Sequence, residues 1–153
     1  MEKAVRFHST GGPEVLAYEN VDVAAPAAGE ARVRHSVIGL NFIDTYHRSG
    51  LYPLPLPSGI GLEAAGEVEA VGPGVTHIKA GDRVAYAGGP PGAYSEVRLI
   101  PADKLVKIPT GVSDEQAAAM MLKGLTVQYL SRRVYRVHKG ETVLFRAAAG
   151  GVG

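Results

Sequence analysis

The pattern of apolar and polar positions changes at Ser113. Before that residue, short apolar runs alternate with turns rich in glycine and proline, which predicts many short strands. Residues 31–38 alternate most clearly, with Val33, His35 and Val37 on one face, as is typical of a half-buried strand. The same criteria predict further strands over residues 3–8, 15–19, 62–71, 83–87 and 94–100. Because so many short strands need a way to close their edges, we expect a small β-barrel or curled sheet here.

Two helices are predicted from the residues at their ends. Asn41 is a suitable N-cap for a short helix over residues 42–49, and Gly50 follows as its C-terminal stop. At Ser113, the sequence Ser-Asp-Glu-Gln is a capping box, and helix-forming residues continue over 117–134. This switch from strands to helix makes α+β the expected fold class.

The end of the chain combines a β-type run over residues 142–145 with the sequence Gly150-Gly151-Val152-Gly153. A strand followed by such a turn is typical of a dinucleotide-binding unit, in which glycine lets the backbone approach a pyrophosphate. The helix that would follow the turn, and the residue that would read the ribose, do not occur within the 153 residues. A flexible terminus is the alternative, but the capped helix and the predicted strand favour the cofactor interpretation.

Composition excludes several kinds of site and partner. The sequence contains no cysteine, which rules out disulfides, zinc–thiolate sites, iron–sulfur clusters and cysteine nucleophiles. The formal net charge is +1, so there is no electrostatic reason to expect a nucleic acid or an anionic membrane as a partner. No apolar run approaches the ~20 residues that span a bilayer. Charged residues directly after Met1 argue against a signal peptide, and we expect a cytoplasmic protein.

Six stretches carry a family resemblance through their order and spacing. They are GGPEVL at 11–16, GLNFIDTY at 39–46 with RSGLYP at 48–53, GLEAAG at 61–66, KAGDRV at 79–84, KGLTVQYL at 123–130, and AAAGGVG at 147–153. In these stretches the chain resembles the zinc-independent quinone oxidoreductases, the zeta-crystallin-like group of the medium-chain dehydrogenase/reductase superfamily. Members are roughly twice this length, so the chain looks like the first half of one.

The resemblance implies a fold and an activity. Residues 1–112 would form most of a GroES-like catalytic domain, and residues 113–153 would begin a Rossmann NADP-binding domain with its first helix and strand. The whole protein would transfer reducing equivalents from NADPH to a quinone, whereas the 153 residues would be inactive alone. Apolar faces that would pack on the remaining domain should be exposed, so we also expect self-association into a homo-oligomer.

The resemblance also implies that no metal takes part. Zinc-dependent relatives have a cysteine at the position of Asn41 and a histidine at that of Leu62, before a glutamate like Glu63. Here Asn and Leu occupy those positions, so hydrogen-bond donors would have to polarise the substrate. We expect a structural role for Glu63.

The candidate site residues depend on the same resemblance. From the residues alone, Asn41 is an N-cap, Tyr46 packs, Tyr52 anchors a loop or donates to a substrate, Lys123 lies on the surface and Thr126 packs. The resemblance instead implies catalytic roles for Asn41, Tyr46 and Tyr52. The residues it implies as cofactor contacts are Phe42, Ile43, Asp44, Thr45, Tyr46, Lys123, Thr126, Gly150, Gly151, Val152 and Gly153.

Two features and two alternative functions remain open at this point. His47 and Arg146 depart from the residues usual in the family, which leaves the role of each open. The chain could instead be a stand-alone GroES-like module that binds or assembles without catalysis. It could also belong to an enzyme of the same superfamily that reduces an enal or an enoyl thioester.

Overall fold

The computed structural model describes all residues, 1–153, and contains eight strands and two α-helices. The strands are β1 (Glu2–Phe7), β2 (Leu16–Val21), β3 (Glu30–Gly39), β4 (Ser58–Gly59), β5 (Glu63–Val71), β6 (Arg83–Ala87), β7 (Val97–Pro101) and β8 (Val106–Lys107). The helices are α1 (Phe42–Ser49) and α2 (Asp114–Gln128), with short 3-10 turns at Pro13–Val15 and Ala102–Lys104. The predicted α+β class is confirmed.

The strands form two antiparallel sheets that are joined along β1. One sheet has the order β2-β1-β4, and the other has the order β7-β3-β5-β6-β8. Ala4 in β1 bridges to Ser95, just before β7. The Val5 N–H donates to the Tyr94 carbonyl at 2.7 Å, and the Glu96 N–H donates to the Lys3 carbonyl at 2.9 Å. These contacts curl the two sheets towards each other, in agreement with the curled sheet expected from the many short strands.

The five-stranded sheet is covered on both faces. Because successive side chains of a strand point to opposite faces, neighbouring residues pack into different clusters. In β6, Val84 and Tyr86 belong to the main core, whereas Ala85 between them contacts the face covered by α2. Ala65, Ala117 and Ala118 complete that second cluster. Because all four of its buried members are alanines, α2 lies close against the strands.

Both predicted helix starts are confirmed. The Asp44 carboxylate accepts a hydrogen bond from the Asn41 backbone N–H at 3.0 Å at the start of α1, and Gly50 ends that helix with a φ of 83°. At the start of α2, the Ser113 hydroxyl accepts from the Gln116 N–H at 3.2 Å. Gln116 in turn accepts from the Ser113 N–H at 3.0 Å, which completes the capping box.

The carboxyl-terminal part differs from the prediction in one element. After α2 the chain continues as a π-helical turn over Tyr129–Val134, but residues 142–145 form no strand, so that prediction is wrong. A strand is stabilised by hydrogen bonds to a neighbour, and no strand lies beside these residues, of which Leu144 is 90% exposed. The first strand of a Rossmann sheet is therefore not formed in this chain. Neither α1 nor α2 combines the length and the apolar character of a membrane-spanning helix.

Candidate functional site

A cavity of about 260 Å³ lies where the loop after β3, α2 and the carboxyl-terminal tail meet. Its lining residues are Leu40, Asn41, Phe42, Ile43, Leu122, Lys123, Thr126, Gly151 and Val152. All of them except Leu40 and Leu122 are residues for which the resemblance implied a catalytic or cofactor role. The fold thus brings three separate sequence segments to one place.

Asn41, Glu63 and Lys123 form a polar cluster beside this cavity. The Asn41 Nδ2 donates to Glu63 Oε2 at 2.7 Å, and the Lys123 Nζ donates to Asn41 Oδ1 at 3.1 Å. Lys123 Nζ also lies 3.9 Å from Glu63 Oε2, and its side chain is 33% exposed whereas that of Glu63 is 0% exposed. The cluster therefore runs from a buried carboxylate to an ammonium group at the cavity wall.

Asp44, in the first turn of α1, supplies a second buried carboxylate close to Asn41. Its Oδ2 accepts from the Tyr94 hydroxyl at 2.9 Å and from the Asn41 N–H at 3.0 Å. Its Oδ1 is buried and has no hydrogen-bond partner. Burial and the neighbouring Asp44 carboxylate raise the pKa of Tyr94 above its ordinary value, so the hydroxyl keeps its proton and remains the donor to Asp44.

An aromatic row extends from the rim of the cavity along α1. The Phe42 and Tyr46 ring centroids are 5.3 Å apart, and so are those of Tyr46 and Tyr52, both in edge-on arrangements. Phe42 is 74% exposed and Tyr52 is 48% exposed, so these rings offer apolar surface to solvent. Tyr46 and Tyr52 do not line the cavity itself. His47 is buried, with its ring centroid 6.2 Å from that of Tyr52.

Some of the remaining candidate residues line the cavity and others lie outside it. The Thr126 hydroxyl donates to the Leu122 carbonyl at 2.8 Å, and the Thr45 hydroxyl donates to the Phe42 carbonyl at 2.7 Å. Both oxygens keep an acceptor site. Gly151 packs on the Lys123 side chain so closely that a Cβ at this glycine would lie 2.9 Å from Lys123 Cε. Gly150, Gly153 and Arg146 lie outside the cavity lining.

Two contacts of the site were not predicted from the sequence. Glu63 was expected to have a structural role, and the structure places it in direct contact with Asn41. Tyr94 was given no role beyond its predicted strand, and its hydroxyl contacts Asp44. A signal existed for Glu63, since it is a carboxylate within an apolar strand. For Tyr94 there was none, because its contact with Asp44 joins residues 50 positions apart.

Comparison with known proteins agrees with this architecture. The family model described as alcohol dehydrogenase GroES-like domain matches residues 27–110. The quinone oxidoreductase of Pseudomonas aeruginosa is 62% identical over 154 residues, covering 100% of this chain and 47% of the relative. The crystal structure of Escherichia coli quinone oxidoreductase complexed with NADPH superimposes with a TM-score of 0.95 at 58% identity, covering 99% of this chain and 47% of that chain.

A relative with a different name is also similar. The 2-haloacrylate reductase of a Burkholderia species is 47% identical over 160 residues, covering 100% of this chain and 48% of the relative. The chain thus spans about half the length of the curated relatives it matches, and the resemblance found in its sequence motifs is confirmed. Since the family model covers more than half of its residues, the chain belongs to the family of the alcohol dehydrogenase GroES-like domain.

Proposed function

We propose that the chain supplies the GroES-like, amino-terminal half of a zinc-independent oxidoreductase that transfers reducing equivalents from NADPH to quinones. The observation that carries this proposal is the convergence of Asn41, Lys123 and Thr126 on one cavity. The similarity to the Pseudomonas aeruginosa quinone oxidoreductase supports it. In this proposal residues 1–112 are the catalytic domain and residues 113–153 begin the cofactor domain.

The residues around the cavity fit a nicotinamide cofactor in their chemistry. Lys123 carries a positive charge and has donors beyond the one used by Asn41. Asp44 and Thr45 line a neighbouring cavity, and the buried Oδ1 of Asp44 has no partner, so a donor from a ligand there would satisfy an acceptor that is costly to leave unpaired. Gly151 lets the tail backbone pack on the Lys123 side chain at the cavity wall. When bound, NADPH would supply the hydride chemistry.

The protein's own contribution is orientation and hydrogen bonding. Phe42, Ile43 and Leu122 give the cavity apolar walls, and a ligand that covered them would displace water and so strengthen the hydrogen bonds made there. Lys123 would hold a polar group of the ligand. Tyr46 and Tyr52 would act from the aromatic row, where flat rings can stack on a quinone and their hydroxyls can donate to its oxygens. Phe42, Thr45, Thr126, Val152 and the tail glycines Gly150 and Gly153 would complete the cofactor contacts.

The proposal extends to location and assembly. We expect the whole protein to act in the cytoplasm on a quinone as its small-molecule substrate. Exposed apolar side chains on α2 and beyond it, among them Leu125, Tyr129 and Leu130, support burial against further protein. A homo-oligomer is the expected assembly.

The proposed function is tested by completing the chain. Residues 1–153 are joined to the matching carboxyl-terminal part of the Pseudomonas aeruginosa relative, and loss of NADPH absorbance is followed with several quinones. We expect turnover by the fusion protein and none by the 153 residues alone. A folded fusion protein that oxidises no NADPH with any quinone would contradict the proposal. Turnover by the 153 residues alone would contradict the expectation that they are inactive without the carboxyl-terminal half.

A second candidate function is reduction of a conjugated alkene. The similarity to the 2-haloacrylate reductase favours it. The same fusion protein is assayed with a 2-haloacrylate and a conjugated alkenal beside the quinones, and the ratio of kcat/KM values decides between them. A stand-alone binding module, in contrast, would show no change of melting temperature with NADPH, even when the carboxyl-terminal half is supplied.

A further inference from the structure

Glu63 occupies an unusual position for a charged residue. Its side chain is 0% exposed, and it projects from the first position of β5 towards α2, on the same face as Ala65. One oxygen, Oε1, accepts from the Leu122 N–H of α2 at 2.7 Å. The other, Oε2, accepts from Asn41 Nδ2 at 2.7 Å. A single carboxylate thus connects β5, α2 and the residue that precedes α1.

The surroundings fit closely around this carboxylate. A Cβ on Gly39 would lie 2.5 Å from Glu63 Oε2 and 2.6 Å from the Ala118 carbonyl. The space therefore depends on glycine at this position for steric reasons. Burying a carboxylate is costly even when it is paired, and an apolar side chain of similar volume often stabilises a fold as well or better. Stability alone is thus a weak reason for a glutamate here.

The hydrogen bonds give the Asn41 carboxamide one orientation. A carboxylate only accepts and an ammonium only donates. Asn41 Nδ2 must therefore face Glu63, and Oδ1 must face Lys123, in the order Leu122 N–H, Glu63, Asn41, Lys123. Turning the carboxamide round would set donor against donor at one end and acceptor against acceptor at the other.

We propose that Glu63 is a positioning residue for the site. It orients the Asn41 carboxamide and, through Asn41 and its own charge, holds the Lys123 ammonium at the cavity wall where a ligand binds. Glu63 does not line the cavity, so it acts through these two residues. The ligand part of this inference rests on the proposed function, whereas the orientation of Asn41 belongs to the chain itself.

The first test measures that orientation in the 153-residue chain by NMR. The Asn41 side-chain amide protons should exchange slowly with solvent and resonate downfield, because they donate to a buried carboxylate. In Glu63→Gln, a side-chain NH₂ faces Asn41 in place of Oε2, so the carboxamide turns and those signals move. Fast exchange of the Asn41 amide protons in the unmodified chain would overturn the inference without any variant.

The double variant Glu63→Gln with Asn41→Asp supplies a rescue. It moves the negative charge from position 63 to position 41. The new carboxamide at position 63 can then donate to the new carboxylate at position 41, and that carboxylate can accept from Lys123. The slowly exchanging side-chain amide should therefore reappear at position 63. Its absence in a folded double variant would count against the proposed direction of the hydrogen bonds.

The second test measures kinetics in the fusion protein. Glu63→Gln should raise KM for NADPH by roughly tenfold to a hundredfold, as expected when hydrogen bonds to charged groups are lost. The matched control is Asp114→Asn, which loosens α2 through its contacts to Ser36 and Arg83 without touching the cluster. If both variants lower the melting temperature and alter KM in parallel, Glu63 is only structural. If the unmodified fusion protein has no activity, the proposed function fails while the NMR result still decides the role of Glu63.

Discussion

The sheet region, residues 1–112, and the tail, residues 129–153, both contain runs with β character, but these runs form strands only in the sheet region. In the sheet region, every predicted run with β character pairs with another strand, although most of the pairs join strands that are not consecutive in sequence. In the tail, the run over residues 142–145 has comparable β character but remains unpaired. A β-strand is not a local structure, because its hydrogen bonds belong to its neighbour. What separates the two regions is the availability of a partner, and α2 between them marks the boundary.

The first way to sharpen this comparison is to replace one phenylalanine in each region by alanine. Phe7 is 0% exposed and Phe145 is 45% exposed. Phe7→Ala should lower the free energy of unfolding by roughly 3–5 kcal/mol, since it leaves a cavity in the core. Phe145→Ala should cost less than about 1 kcal/mol. Urea denaturation monitored by circular dichroism measures both. Equal losses would mean that the tail packs as tightly as the sheet region.

A pH titration tests the sheet region through His35. Burial lowers the pKa of His35 to about 4, and its ring nitrogens contact the Ser95 carbonyl at 2.7 Å and the Tyr86 hydroxyl at 3.0 Å. Below pH ~6.5 the unfolded chain binds a proton there that the folded chain does not. Stability should therefore fall as the pH drops from about 6.5 to about 4, by about 3 kcal/mol in total from this group.

The variant His35→Gln removes this group, so its stability should change less over the same pH range. The matched control is His138→Gln, which removes an exposed histidine of the tail. We expect the control to keep the wild-type profile when unfolding is followed at each pH. An unchanged profile in His35→Gln would mean that other groups cause the acid sensitivity.

The same contrast explains how much could be predicted from the sequence. Both helices were predicted at their starts, because an N-cap residue and a capping box are local signals that depend on a few consecutive residues. The strand over residues 142–145 was predicted wrongly, because β-type residues indicate β character and not the presence of a neighbouring strand. The contacts of Glu63 were not predicted for a related reason. Its contacts with Asn41 and with the Leu122 N–H span 22 and 59 positions, and only the folded chain brings these residues together.

A third experiment tests whether α2 depends on its local cap. Ser113→Ala removes the side-chain acceptor for the Gln116 N–H and should cost about 1 kcal/mol. Because α2 packs on the sheet, this loss should appear in global unfolding and not only as fraying of the helix. Thermal unfolding with hydrogen exchange over residues 114–128 distinguishes the two. Loss of protection from exchange in α2 without a change in melting temperature would mean that α2 unfolds independently of the sheet region.

The smallest expected effect is a gain of stability at Gly124. This glycine lies in the interior of α2, and a Cβ there would meet only Met120 Cε, at an ordinary distance of 3.8 Å. Gly124→Ala should therefore stabilise the chain by roughly 0.5–1 kcal/mol, because alanine loses less backbone entropy in a helix. Gly39→Ala is the matched opposite, since the same methyl group there would press on Glu63 and on the Ala118 carbonyl. A rise in melting temperature for the first variant and a fall for the second would show that α2 accepts an added methyl group at position 124 but that the space beside Glu63 does not accept one at position 39, whereas two rises would contradict the tight fit around Glu63.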